Sequence, residues 1–205
     1  MLKDIEILEE YRTDSSPPIN LYINCLIESS HFDRAAGYFS SSGLSEAAKG
    51  FAHFIDNNGK IRLVVSPQFY PEDIKAIMDG YKTRDQVVEE VLSRSIEEIQ
   101  GTIERNRFEA LAWLVSTNNL DIKIAIKVDK DGIPQREIYH EKMGIFKDID
   151  GNEVAFTGST NESKGGWVNN FESIDVYKSW VDAEKNRINR KRENFALRLI
   201  QIKKL

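Results

Sequence analysis

One cysteine, Cys25, stands in a chain of 205 residues. That scarcity excludes an internal disulfide and any multi-cysteine zinc site. Histidine is scarce too, with three in the chain, and no histidines or carboxylates cluster with the spacing of a metal site. Long apolar runs are missing: the stretch 61–65 is interrupted by Arg62, so nothing in it spans a bilayer. The opening Leu2-Lys3-Asp4-Ile5-Glu6 carries acidic residues where a signal peptide stays apolar. No stretch combines Trp or Phe with Lys in the pattern of a membrane-surface helix. The expectation is a soluble, cytoplasmic protein that uses no membrane, metal or cofactor.

What is present is ordinary for a globular chain. A composition 40% hydrophobic and 30% charged excludes a disordered or fibrous class. At this length, folding buries roughly 70% of the unfolded surface, enough for a core without staples. With no repeat, low-complexity stretch or linker, a single domain over 1–205 is expected. The net charge of −5 argues against a nucleic-acid partner, but it is unevenly placed. Residues 178–205 hold nine basic and three acidic side chains, a balance of +6, which leaves −11 for 1–177. A basic end on an acidic body suggests a partner-facing segment. A solvated amphipathic helix would carry the same charges.

Periodicity gives the order of elements. A helix is expected over 20–28, after Pro17-Pro18, and a strand over 32–39. A helix with Leu44, Ala47, Ala48, Phe51 and Ile55 on one face then stops at Asn57-Asn58-Gly59. A strand over 60–66 is rich in β-branched residues. Helical patterns follow from Pro71 to about Gly80 and over 83–116. Strands are expected at 121–128, 137–146, 153–156 and 171–177, with a hairpin turn over 148–152, before a basic helix from Val181 onward. Early alternation and later crowding of strands predict an α/β fold, a mixed β-sheet sandwiched between helices.

The chemistry gathers late in the chain. On a strand, His140 and Lys142 share a face, because side chains repeat with a period of two, while Glu141 faces away. Imidazole is a nucleophile at neutral pH, and a neighbouring cation favours its neutral form. Lysine supplies a point charge for phosphate oxygens. After the next strand come Gly158-Ser159-Thr160-Asn161, whose hydroxyl and amide also bind oxygens. A His-x-Lys pair by itself is an ordinary polar strand face; the Gly-Ser-x-Asn group gives it weight.

With His140, Lys142, Gly158, Ser159 and Asn161, the chain resembles the phospholipase D superfamily, whose signature is His-x-Lys, four residues, Asp, and a later Gly-Ser-x-Asn. Its nuclease branch, restriction endonucleases included, has a glutamate in the next strand, where Glu172 stands. The segments 37–44 and 58–63 are similar to phospholipase-D-like domains fused to superfamily 2 helicases in bacterial DNA-processing and defence proteins. The resemblance implies a mixed sheet of six or seven strands and a metal-independent phosphodiesterase or nuclease acting on DNA or another nucleic acid. One His-x-Lys set per chain implies a homodimer. One His140 would attack phosphorus, giving a phosphohistidine, and its mate would protonate the leaving oxygen. Lys142, Ser159 and Asn161 would hold the oxygens, and Glu172 would orient the imidazole. The chain departs from the pattern at position 147, where the expected aspartate is Lys147. The alternative is therefore a catalytically degenerate nucleic-acid-binding module of a helicase or restriction protein.

Nucleic-acid contacts are expected at Lys164, Lys185, Arg187, Arg190, Lys191 and Arg192. The basic helix would otherwise cap the body through Phe195, Leu197 and Ile200, or lead into a further domain of a longer protein. The remaining candidates read as structural. His31 reads as a structural or surface residue, His53 should be exposed, and Cys25 should be a small core residue. Asp129 with Asp131, and Asp148 with Asp150, read as Asx turns. Trp113, Trp167 and Trp180 read as core or interface, although Trp167 follows Gly165-Gly166 near the site. Tyr38 and Ser40 to Ser42 end a strand at which active-site groups could gather.

Overall fold

The computed structural model describes residues 1–38, 46–66, 114, 118–131, 133–161 and 165–201. The helices expected over 71–80 and 83–116 lie outside the described residues, apart from Leu114, as do Ser40 to Ser42, Trp113 and Lys164.

Among the described residues, a seven-stranded sheet has the order β1-β9-β8-β7-β2-β3-β4. Its strands are β1 (Glu10–Arg12), β2 (His31–Ala36), β3 (Lys60–Val65), β4 (Leu120–Ile124), β7 (Met143–Lys147), β8 (Glu153–Gly158) and β9 (Ser173–Lys178). β2, β3 and β4 run parallel, and every other pairing is antiparallel, so the sheet is mixed. β5 (Ile126–Val128) and β6 (Pro134–Ile138) form a separate two-stranded ribbon.

Helices cover both faces, which is why the central strands read as nearly continuous apolar runs. On one face, Phe32, Leu63, Phe146, Phe156 and Ile174 pack against α1 (Pro18–Glu28) and α2 (Ala48–Asp56) through Tyr22, Leu26, Phe51 and Phe54. Phe32 and Phe146 stack at 4.3 Å, and Tyr22 meets both edge-on at 5.2 and 5.6 Å. Cys25 is buried in this layer, as expected, and burial pushes its thiol pKa up. On the other face, Ala35, Val64, Met143, Ile145 and Ala155 receive Ile188 and Phe195 of α3 (Lys185–Gln201).

Several boundaries differ from the sequence reading. α1 starts at Pro18, because proline suits the first helical turn, where its missing N–H costs nothing. β2 ends at Ala36, three residues short of the expected limit. The expected strand 137–146 is two strands: β6 belongs to the ribbon, 139–142 are not in a strand, and β7 begins at Met143. Glu172 precedes β9. α3 begins at Lys185, because backbone turns over 178–184 delay it: Val181 N–H donates to Lys178 O, and Glu184 N–H to Val181 O.

The Asx turns form as read. Asp129 Oδ1 accepts the N–H groups of Asp131 and Ile133, and Asp148 Oδ1 accepts those of Asp150 and Asn152. His31 and His53 are exposed. Trp180 packs, half-buried, on the larger core.

Candidate functional site

Strand register brings the motif residues to one edge of the sheet. Ala35 of β2 lies opposite Met143 of β7, Met143 opposite Thr157 of β8, and Gly158 opposite Ile174 of β9. Residues after β2, before β7, after β8 and before β9 therefore meet: Gly37 and Tyr38, His140 and Lys142, Ser159 to Asn161, and Glu172. No strand runs through His140 and Lys142, so the expected common strand face does not form. The two side chains meet nonetheless, because the irregular segment 139–142 turns Lys142 Nζ back to 2.7 Å from His140 Nε2.

An ammonium has no acceptor, so Nε2 accepts from Lys142, and the neutral ring carries its proton on Nδ1. His140 is exposed, whereas Lys142 is 8% exposed. Burial pulls the Lys142 pKa below its ordinary 10.5; the Arg34 guanidinium pushes the same way, and the Glu172 carboxylate opposes them. The Lys142 carbonyl accepts from Thr157 Oγ1 at 3.2 Å and from Gly158 N–H at 3.3 Å, which fixes the loop to the end of β8.

Asn161 Oδ1 accepts the Tyr38 N–H at 3.1 Å, so the oxygen end of its amide is tied to the end of β2. The exposed Ser159 hydroxyl accepts the Ser173 N–H at 3.2 Å. Glu172 is buried; its carboxylate accepts from Asn170 Nδ2 at 3.2 Å, and its backbone exchanges hydrogen bonds with Thr13. Among the described residues its carboxylate makes no hydrogen bond to His140, and its charge acts on Lys142 instead.

Position 147 is remote from these groups. Lys147 ends β7, about 13 Å of strand away from Met143 at roughly 3.3 Å per residue. Asp148 beside it is buried and closes the hairpin, also accepting the Leu2 N–H at 3.1 Å.

The basic helix is a packed layer. Arg192 meets the buried Glu153 at 3.0 and 3.1 Å. Arg187 and Lys191 lie over the Tyr177 ring at 5.2 and 5.3 Å, and burial lowers the Lys191 pKa. Lys185 pairs with Asp182, and Arg190 is exposed. The cap expected through Phe195, Leu197 and Ile200 is corrected in part: Phe195 is buried, Leu197 is 51% exposed, the Ile200 side chain lies outside the described residues, and Ile188 takes the second anchoring place.

Two residues at the site escaped the sequence reading of its chemistry. Arg34 shares strand parity with Phe32 and Ala36, so a charge at an inward position was the signal. Gly37 follows β2, where an added Cβ would lie 3.0 Å from His140 Nδ1.

An imidazole, a buried lysine, and the hydroxyl and amide side chains of Ser159 and Asn161 thus gather at one edge of a mixed, helix-covered sheet. The sequence matches the family model described as cardiolipin synthase, PLD-like domain, over residues 32–192, and the chain belongs to this phospholipase-D-like family. No curated protein sequence matches it. Among solved structures it is similar to NucT from Helicobacter pylori, at 14% identity and TM-score 0.53, over 91% of this chain and 90% of that one. It is similar to the phospholipase D family member Nuc from Salmonella typhimurium, at 11% identity and TM-score 0.53, over 96% and 95% of the two chains. A phosphatidylserine synthase of Haemophilus influenzae Rd KW20 shares the fold at 11% identity and TM-score 0.58, over 95% of this chain and 38% of that one.

Proposed function

We propose that the protein is a metal-independent phosphodiesterase of nuclease type, acting on nucleic acid, with DNA the first candidate. The observation that carries the reading is the Lys142 Nζ to His140 Nε2 contact of 2.7 Å, at the sheet edge that also holds Ser159, Asn161 and Glu172.

In the reaction, the Lys142 ammonium leaves Nε2 for a non-bridging phosphate oxygen. Nε2 then attacks phosphorus, and the P–O bond to the leaving group breaks. The leaving oxygen takes a proton from His140 of a second copy, which enters the step as the imidazolium and leaves it neutral, so the active unit is a homodimer. Water attacks the phosphohistidine, the P–N bond breaks, and the water proton passes to that second histidine. Lys142, the Ser159 hydroxyl and the Asn161 amide N–H groups stabilise the oxygens in the transition state. Glu172 balances the buried lysine. Substrate backbone would run along exposed cations such as Arg190, and a fused or associated helicase would deliver it.

A nuclease assay in EDTA, run on wild type beside His140→Ala, tests the reading. Cleavage that persists in EDTA and is lost in the variant supports it. Cleavage that vanishes in EDTA yet survives His140→Ala refutes it. Tight binding without any cleavage would point to a phosphate-binding module that delivers a helicase. Asn161→Ala should slow turnover by about 10²–10³ if its amide acts as an oxyanion donor. Sedimentation of the active species tests the dimer.

A further inference from the structure

Arg34 heads the largest fully buried side chains among the described residues, with no solvent exposure. A guanidinium taken out of water is unfavourable unless hydrogen bonded, and this one is bonded in a particular way. Nη1 donates to Met143 O at 3.1 Å and to Ala35 O at 2.9 Å. Nη2 donates to Thr160 O at 2.7 Å. Met143 directly follows Lys142, and Thr160 lies between Ser159 and Asn161. One planar fork therefore ties together the two loops that carry the motif.

The neighbours are shaped around that fork. Arg34 lies opposite Gly144 of β7, and Gly144 opposite Phe156 of β8. The guanidinium sits 5.2 Å from the centre of the Phe156 ring. A Cβ on Gly144 would come 2.2 Å from that ring, so glycine there lets cation and ring meet. A core needs no arginine at this place, since Phe32 and Ala36 fill the same face with apolar atoms. Two cations, Arg34 and Lys142, are instead buried near one another, with Glu172 as the carboxylate acting on the lysine. Positive charge gathered at one buried site favours an anion.

We infer that Arg34 is a positioning residue for the phosphate cradle: its guanidinium locks the Lys142 loop and the 159–161 loop at one spacing and holds a second positive charge beneath the phosphate. The inference rests on the phosphodiesterase reading. Arg34 also helps to keep the Lys142 pKa low, beside burial and against Glu172.

Two variants separate the roles. Arg34→Lys keeps the charge but replaces the planar fork of two nitrogens with a single nitrogen. Arg34→Gln removes the charge. Turnover of bis(p-nitrophenyl) phosphate should fall in both, on the order of 10²-fold in kcat with KM little changed, as misplacement of catalytic groups predicts. An NMR titration of Lys142, in protein with isotopically labelled lysine, should shift to higher pH in Arg34→Gln and stay near wild type in Arg34→Lys. Wild-type kcat in Arg34→Lys overturns the locking role, and an unmoved Lys142 titration in Arg34→Gln overturns the charge role. If Arg34→Gln does not fold, the rate of Arg34→Lys decides. If wild type cleaves no phosphodiester, the functional reading fails by itself, while the Lys142 titration still judges the charge.

Discussion

Replacing Gly37 by alanine adds one methyl group to the wall of the site. The new Cβ would lie 3.0 Å from His140 Nδ1, and 3.4 Å from both His140 Cα and Asn161 Oδ1. A Cβ contact of 3.0 Å is tighter than ordinary van der Waals contact, so the imidazole must retreat by a few tenths of an ångström. That displacement is about the tolerance of a catalytic constellation, and a 1 Å error costs roughly 10²-fold. The expected loss is about tenfold in kcat, with KM little altered. Stability should change by less than about 1 kcal/mol, because the backbone at Gly37 is not left-handed and the glycine's loss of unfolded-state freedom offsets the crowding. His140 is exposed, so the ring relieves the contact by moving outward, not by straining the core. Steady-state kinetics on a chromogenic diester, paired with thermal melts, measure both quantities. Undiminished kcat in Gly37→Ala would refute the reasoning, as would a rate loss explained wholly by a lower Tm.

Phe195→Ala should cost about 3–5 kcal/mol in urea unfolding, whereas Leu197→Ala at its exposed position should cost under about 0.5 kcal/mol. Arg192→Ala leaves the buried Glu153 without its guanidinium and should cost about 1 kcal/mol, a modest figure because the arginine is half in water. Reversing Lys185, Arg187 and Arg190 together should flatten the salt dependence of DNA affinity if α3 meets the backbone; an unchanged slope would confine the helix to packing. The alkaline limb of the pH–rate profile should lie below 10.5, since burial and Arg34 depress the Lys142 pKa and the ammonium is lost as pH rises through it. A limb that stays in place in Lys142→Arg would assign it elsewhere.

The architecture was legible where alternation and β-branching repeat over several residues. β3 and α1 fall near their expected limits because their apolar periods persist to their ends. The region 137–146 misled, because two strands of different sheets adjoin with a short irregular link, and an apolar pattern cannot show a change of partner. The constellation of His140, Lys142, Ser159, Asn161 and Glu172 was readable as spacing, yet its geometry was not. That Lys142 caps Nε2 depends on a turn of backbone, and that Glu172 serves the lysine depends on strand pairing between β8 and β9. Arg34 was hidden for another reason. A charge at an inward position looks like an error of register until the carbonyls that receive it are seen.

The strand order has a consequence for how the chain acquires activity. Among the described residues β1, near the start of the sequence, pairs only with β9, and the candidate site draws on segments from Gly37 to Glu172. Pairings of such long sequence separation close slowly, because loop entropy is spent before the contacts form. A chain leaving the ribosome would hold its histidine and lysine well before the partners that align them. The edge that carries the candidate site is therefore expected to assemble in one late step, when β9 docks between β8 and β1. Proteolytic or truncated fragments that stop short of β9 should be inert, and any reactive imidazole would stay unarmed until synthesis had passed residue 178.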